Sequence, residues 1–332
     1  MKIVVLILAF ALLSCSTNSP SATIQVAAPQ VNTPAPAWPA GLPVYDHIVI
    51  VVEENKNYDQ IIGSPAAPYI NGTLKAEGAN LTQMYAEEHH SQGNYFWLFS
   101  GSNQNVGFKD DIPLKPIVAS NLGEQLIRTG HSFKGYSEDL PAIGARVFKS
   151  KEPKLYARKH APWISFSNVP NGPTVADSSN LRFLDFPSDY SSLPTVSIVI
   201  PNLINDMHNG SIPDNIMAGD TWLRERINGY YNWAKQHNSL LILTFDENDK
   251  KGEIGLTNPG NVEPEEKNQI VTILAGAHIK PGDYTENKGV THVNILRTLE
   301  AMYKLNKSGA QQQNALNVGI TNDFIITDVF SH

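Results

Sequence analysis

The 332-residue chain has a single cysteine, Cys15, so no disulfide can staple it and its stability must come from a core. It has no dense run of Lys and Arg. Its 25 basic and 32 acidic residues give a net charge of -7, which argues against a nucleic-acid surface, because phosphate backbones are held by clustered cations. The apolar stretch Ile3 to Leu13 is too short to span a bilayer comfortably as a mature helix, and no internal repeat is present. What remains is a globular composition, 41% hydrophobic and 17% charged, long enough for one large α/β domain or two modest ones.

The start, "MKIVVLILAFALLSCSTNSP", places Lys2 ahead of that apolar stretch and reads as an export signal. Leu12-Leu13-Ser14-Cys15 resembles a bacterial lipobox, which implies that Cys15 becomes the lipidated first residue; the alternative is an ordinary signal peptide with an incidental cysteine. The expected organisation is a signal peptide over 1–14, a Ser/Thr/Ala/Pro-rich tether over 15–43 and a catalytic domain over 44–332. The protein is then exported and anchored to a membrane, facing the periplasm or the cell surface.

From Tyr45 onward, "DHIVIVVEEN" is a continuous apolar run ended by carboxylates, the pattern of a strand buried on both faces. "TVSIVIPNLINDMH" and "SLLILTFDEND" repeat it, and "QIVTILAGAHI" is a fourth run whose end lacks the acidic signature. Helical segments are expected over 121–130, 219–237 and 291–305. Strands alternating with helices imply a three-layer α/β/α sandwich around a mostly parallel sheet, with the site beyond the carboxyl ends of the strands.

Glu54 and Asn55 close the first strand, and Asp246 and Glu247 close the third. One acidic residue at a strand end is usually a cap. Two pairs at the edge of one sheet would bring four oxygen donors together, a set suited to a hard or borderline divalent cation such as Mg, Mn, Ca or Zn. Without a cation, crowded carboxylates repel one another and take up protons. Ser91 stands in "HHSQGNYFWLF", one residue short of a lipase nucleophile elbow because His89 occupies the first glycine position. A serine there can cap a helix, and the same N-terminus can receive an anion.

The ordered set "VVEENKNYD", "HSQGNYFWLFSG", "IPNLINDMHNG", "TFDEND" and "THVNILRTLEAMY" resembles the bacterial phosphoesterase family of acid phosphatases and non-specific phospholipases C, within the alkaline phosphatase superfamily. The likeness covers about residues 44 to 305 and is greatest to the small secreted acid phosphatases. It implies an alkaline phosphatase-like fold and hydrolysis through a phosphoserine. It implies Glu54, Asn55, Ser91, Asp246 and Glu247 as metal ligands, Ser91 as nucleophile, and Asn94 as an amide on a phosphoryl oxygen. His208 and His292 become phosphate-binding residues, one of them the general acid, and Lys159 and His160 in "LYARKHAPW" lie near the substrate or on a solvated face. The implied partner is a small phosphorylated molecule or a phospholipid head group, phosphoinositides included.

Three other readings compete. A phospholipase C-type phosphodiesterase would use the same residues. A lipase would use Ser91, Asp246 and His292 in that order, but it lacks both the elbow glycine and a strand before the serine, where "AEEHH" stands. A non-catalytic surface lipoprotein would have no reason to retain both acidic pairs and the serine.

Overall fold

Ile48 to Val52 are at most 1% exposed, so the strand that contains them must be covered on both faces. The computed structural model describes residues 36–106, 116–249, 268–284, 289–310 and 324–331. Cys15, the signal and most of the tether lie outside these residues. Among the described residues there are ten strands: β1 His47–Glu53, β2 Ala79–Leu81, β3 Met84–Tyr85, β4 Phe133–Ser137, β5 Asn180–Arg182, β6 Val196–Ile200, β7 Ser239–Phe245, β8 Thr272–Gly276, β9 Gly282–Tyr284 and β10 Val290–Thr291. The α-helices are α1 Tyr58–Ile61, α2 Ser91–Ser100, α3 Leu122–Arg128, α4 Asp214–Trp222, α5 Asn228–Ala234 and α6 His292–Met302.

Eight strands form one sheet in the order β5-β4-β6-β1-β7-β8-β2-β9, while β3 and β10 pair separately. Strands β5, β4, β6, β1 and β7 run parallel, and β8 alone is reversed between β7 and β2. That reversal accounts for the missing acidic signature after the fourth apolar run. The carboxyl end of β8 points to the opposite edge, and Asn268, ahead of it, is the residue that reaches the acidic edge: its Nδ2 donates to the Glu88 carbonyl at 2.9 Å.

Helices α2, α3 and α6 pack together, whereas α5 packs on β7 and β8. The Tyr230 hydroxyl of α5 fastens it to the sheet through the carbonyls of Leu240 at 2.9 Å and His47 at 3.1 Å. The helix expected over 219–237 begins earlier, at Asp214, and a π turn over Leu223–Ile227 joins α4 to α5. The expected tether meets the domain before residue 43, because the Trp38 indole donates to the Leu305 carbonyl at 2.8 Å and Leu42 packs on the core. A bulky indole is a better anchor than the Ala/Pro-rich composition around it suggests.

Candidate active site

Strand register sets the centre of the site. Glu53 of β1 pairs with Phe245 of β7, so Glu54 and Asp246 leave the sheet side by side. Asn55 follows in the left-handed region at φ 47°, and its N–H donates to Asp246 Oδ1 at 3.0 Å. One terminal atom of the Asn55 amide lies 3.2 and 3.3 Å from the two Asp246 carboxylate oxygens and 3.2 Å from Glu54 Oε2; the surrounding acceptors identify that atom as Nδ2. A half-turn about χ2 exchanges Nδ2 for Oδ1, so the same amide can donate to the carboxylates or stand beside them as a fourth oxygen donor.

Ser91 closes the arrangement. Its Oγ lies 3.2 Å from both Glu54 Oε2 and Glu247 Oε1. The other Glu247 oxygen accepts from the His90 backbone N–H at 2.9 Å and lies 2.9 Å from His89 Nδ1. Ser91 is the first residue of α2, and His90 before it is held at φ 93° and ψ 105°, a strained conformation for a residue with a bulky side chain. Such strain persists only where neighbours over-determine it, and here the serine and Glu247 meet at that point.

The charges are unequal. Burial pushes the Asp246 carboxyl well above its ordinary value, and repulsion from Glu54 and Glu247 adds to the effect. Burial also acts to raise Glu54, but the adjacent His160 ring and Lys159 outweigh it, so this carboxyl is held well below the usual range. His160 Nε2 lies 2.8 Å from Glu54 Oε1, its ring stacks on Tyr95 at 5.0 Å, and the Tyr95 hydroxyl donates to the same carboxylate oxygen at 3.0 Å. Asp206 is fully buried 3.8 Å from His160 Nδ1, and its Oδ1 accepts from the His208 N–H. Burial, then the Glu54 charge, pushes Asp206 up. Of the consecutive acids in "VVEEN", only Glu54 joins this group. Glu53 has no hydrogen-bond partner for either oxygen, and burial followed by Glu138 and Asp220 raises it well above the carboxylate range.

All five residues that the resemblance implies as metal ligands therefore come together. They offer carboxylate, amide and hydroxyl oxygens, and a divalent cation would reverse the repulsion that raises Asp246. Among the described residues no three His, Cys, Asp or Glu side chains already stand in a ligand cage. Asn55 and Ser91 would have to complete the set.

Two expected substrate-binding groups are placed differently. The Asn94 amide is spent on the preceding loop: Oδ1 accepts from the N–H groups of Glu87 and Glu88 at 3.1 Å each, and Nδ2 donates to the Glu88 carbonyl at 2.5 Å. His292 is 1% exposed, with Nδ1 2.9 Å from Glu87 Oε2 and Nε2 2.8 Å from the Phe245 carbonyl. Neither nitrogen is presented to Ser91, so the lipase triad does not form. Both residues instead brace the loop and the strand end that carry Ser91 and Asp246. His208, in contrast, is exposed; its N–H donates to buried Asp206 at 2.9 Å and its Nδ1 lies 3.0 Å from Asn209 Oδ1. Two groups that sequence reasoning did not single out are Tyr95 and Lys56. Lys56 is 3% exposed, and its Nζ donates to the Asn55 carbonyl at 2.9 Å.

Gly93 explains part of the "SQGN" pattern. A Cβ built there would lie 1.7 Å from Glu88 Oε1, whose carboxyl also accepts from Trp97 and Asn103 and is pushed by burial up to about 7. Gly93→Ala is expected to cost about 1–3 kcal/mol of stability through overpacking, readable by chemical denaturation, and to disturb the turn that presents Ser91.

Residues 66–306 match the Phosphoesterase family, a segment that includes Ser91 and the Asp246-Glu247 pair and begins after Glu54 and Asn55. The chain is 44% identical over 283 residues to a phosphatidylinositol-3-phosphatase of Mycobacterium tuberculosis, covering 85% of this chain and 84% of the relative. It is 28% identical over 314 residues to a probable acid phosphatase of Kluyveromyces lactis, covering 86% and 68%. A crystal structure of an alkaline phosphatase superfamily protein from Vibrio parahaemolyticus superposes with a TM-score of 0.54 at 12% identity over 80% of this chain and 69% of that one, a likeness of fold alone. The sheet, the acidic strand ends and these matches agree: the chain belongs to the Phosphoesterase family and is a hydrolase of phosphate esters.

Proposed function

We propose that the protein is a metal-dependent acid phosphatase that hydrolyses phosphate monoesters through a phosphoserine at Ser91. The observation that carries this reading is the position of Ser91 Oγ, at the N-terminus of a ten-residue helix and 3.2 Å from the carboxylates of Glu54 and Glu247. A helix N-terminus offers N–H groups and a positive dipole end to a phosphoryl group, and a carboxylate at hydrogen-bond distance can take the hydroxyl proton.

Glu54, Asn55, Asp246, Glu247 and Ser91 would hold a divalent cation. Bound there, it would lower the pKa of the serine hydroxyl and neutralise charge on a phosphoryl oxygen. The rest falls to the chain. Ser91 Oγ attacks phosphorus in line with the leaving group while its proton passes to Glu54 or Glu247. The P–O bond to the alcohol breaks, and the exposed His208 supplies the alcohol with its proton. Lys159, beside Glu54, adds positive charge at the same mouth. Water then cleaves the phosphoserine, releasing phosphate and restoring the hydroxyl. His292 and Asn94 act in this scheme by fixing the loop, and Ser91 performs the chemistry.

The 44% identical relative is named a phosphatidylinositol-3-phosphatase, which supports a phosphoinositide or another phospholipid head group as the substrate class. A phosphodiesterase activity of the phospholipase C type is the second reading. A panel of aryl phosphate, aryl phosphodiester, phosphoinositide and carboxyl ester, each with and without chelator, separates them. The expected result is monoester hydrolysis that chelation abolishes and that the metal restores. Carboxyl-ester hydrolysis that survives chelation contradicts the reading. Localisation forms part of the proposal. Cys15→Ser should move the exported protein from the membrane fraction to the soluble one, and continued membrane association after export counts against the lipid anchor.

A further inference from the structure

Residues 146–159 contain Arg146, Lys149, Lys151, Lys154, Arg158 and Lys159 against one acid, Glu152, a local charge of +5 in a chain of net charge -7. The cations fall in two short groups, Arg146 to Lys154 and Arg158-Lys159, and folding brings the two together. Lys149 bridges Ala157 antiparallel, the Arg158 N–H donates to the Phe148 carbonyl at 2.9 Å, and a turn closes through Lys154 N–H to the Lys151 carbonyl at 2.9 Å. The product is a hairpin with Arg146, Lys149, Lys151 and Lys154 exposed. Beside them Val147 is 41% and Phe148 45% exposed, and the Arg158 guanidinium sits 3.8 Å over the Phe148 ring. The hairpin adjoins the site. The Leu203 N–H donates to the Leu155 carbonyl at 3.0 Å, tying it to the loop of Asp206 and His208, and its return strand leads directly into His160.

We propose that this hairpin is a docking surface for an anionic phospholipid bilayer, holding the mouth of the Ser91 site against the head groups. The proposal deepens the phospholipid-head-group reading above and rests on it. Charge complementarity selects an anionic partner, because each Lys or Arg near an anionic leaflet contributes several-fold to binding. The apolar pair decides between anionic partners: a soluble polyanion would be held by cations alone, whereas a bilayer also accepts Val147 and Phe148 into its interface. A cavity of about 500 Å³ at the hairpin is lined by apolar Pro141, Val147, Pro153 and Leu155, with Lys149 and Lys151 balanced there by Asp139 and Glu152. An overall acidic protein would otherwise be repelled by an anionic membrane, so a local positive face at the substrate entrance also sets orientation.

The test is vesicle sedimentation of the exported protein carrying Cys15→Ser, so that no acyl chain contributes. Vesicles of phosphatidylcholine alone are compared with vesicles that also contain phosphatidylglycerol, which is anionic but carries no phosphomonoester. Binding is expected only to the anionic vesicles and should be reversed by high salt. The variant Lys149→Gln/Lys151→Gln/Lys154→Gln should bind roughly 30- to 100-fold more weakly while hydrolysing a soluble aryl phosphate like the parent. Equal binding to both vesicle types, salt-insensitive binding, or retention on immobilised heparin without vesicle binding would overturn the docking surface. Failure to hydrolyse aryl phosphate, by contrast, would defeat the phosphatase reading while anionic-vesicle binding still upheld the surface.

Discussion

Ser91→Ala should lower phosphatase turnover by roughly four to six orders of magnitude, the usual scale for removal of a covalent nucleophile, with little change in stability. The side chain is small, and Ser91 is 2% exposed between Glu54 and Glu247, so its loss removes one hydroxyl and no packing volume of consequence. The helix does not depend on it either, since α2 is anchored by Asn94 and by Gly93 beneath Glu88. Turnover measured with an aryl phosphate, alongside a denaturation curve, separates the two effects. A variant that retains a tenth of parental turnover would mean that something other than Ser91 attacks phosphorus.

The second large effect is expected at the acidic pair, where activity and stability should move in opposite directions. Asp246→Asn keeps an oxygen that can accept from the N–H groups of Asn55 and Glu247, so the local backbone remains satisfied. It removes a buried carboxyl that burial and the charges of Glu54 and Glu247 push upward. The metal-free protein should therefore be as stable as the parent or more stable. Metal content by elemental analysis should fall, and turnover should drop by at least ~100-fold, since even groups that only orient a ligand cost 10–100-fold when lost. Glu54→Gln should also lose metal and activity but gain no stability, because Glu54 is held ionised beside His160 and Tyr95. A metal-free Asp246→Asn protein with normal turnover would refute the cation site.

The parts of the fold legible in the sequence were those written in long apolar runs. β1, β6 and β7 are buried strands, β1 and β7 run straight into acids and β6 into a loop that carries Asp206, and these features survive in the linear text. The reversal of β8 was not legible, because hydrophobic periodicity carries no direction. β4 was missed for another reason: "FKGYS" is short, and its Gly135 is needed because a Cβ there would lie 2.1 Å from the Trp163 ring, a contact between distant residues. At the site, Glu54, Asn55, Asp246 and Glu247 could be read from strand ends and Ser91 from its neighbours. The placement of Asn94 and His292 could not, because a residue type does not reveal which groups its polar atoms already bind. Asn94 is committed to two backbone N–H groups, and His292 to Glu87 and the Phe245 carbonyl. Of the basic hairpin the sequence shows only the tract around Lys159; the pairing of that tract with Phe148 and Lys149 is a product of folding.

The central claim, that Ser91 attacks phosphorus, is tested most directly by trapping the intermediate. The protein is mixed with a phosphorus-labelled aryl phosphate, quenched in acid during turnover, digested and mapped by mass spectrometry. Acid preserves a phosphoserine ester, so the label should appear on the peptide that contains Ser91 and be absent from the Ser91→Ala protein. Turnover with no labelled peptide under conditions that trap a phosphoserine standard, or with the label on a peptide that lacks Ser91, would contradict the account.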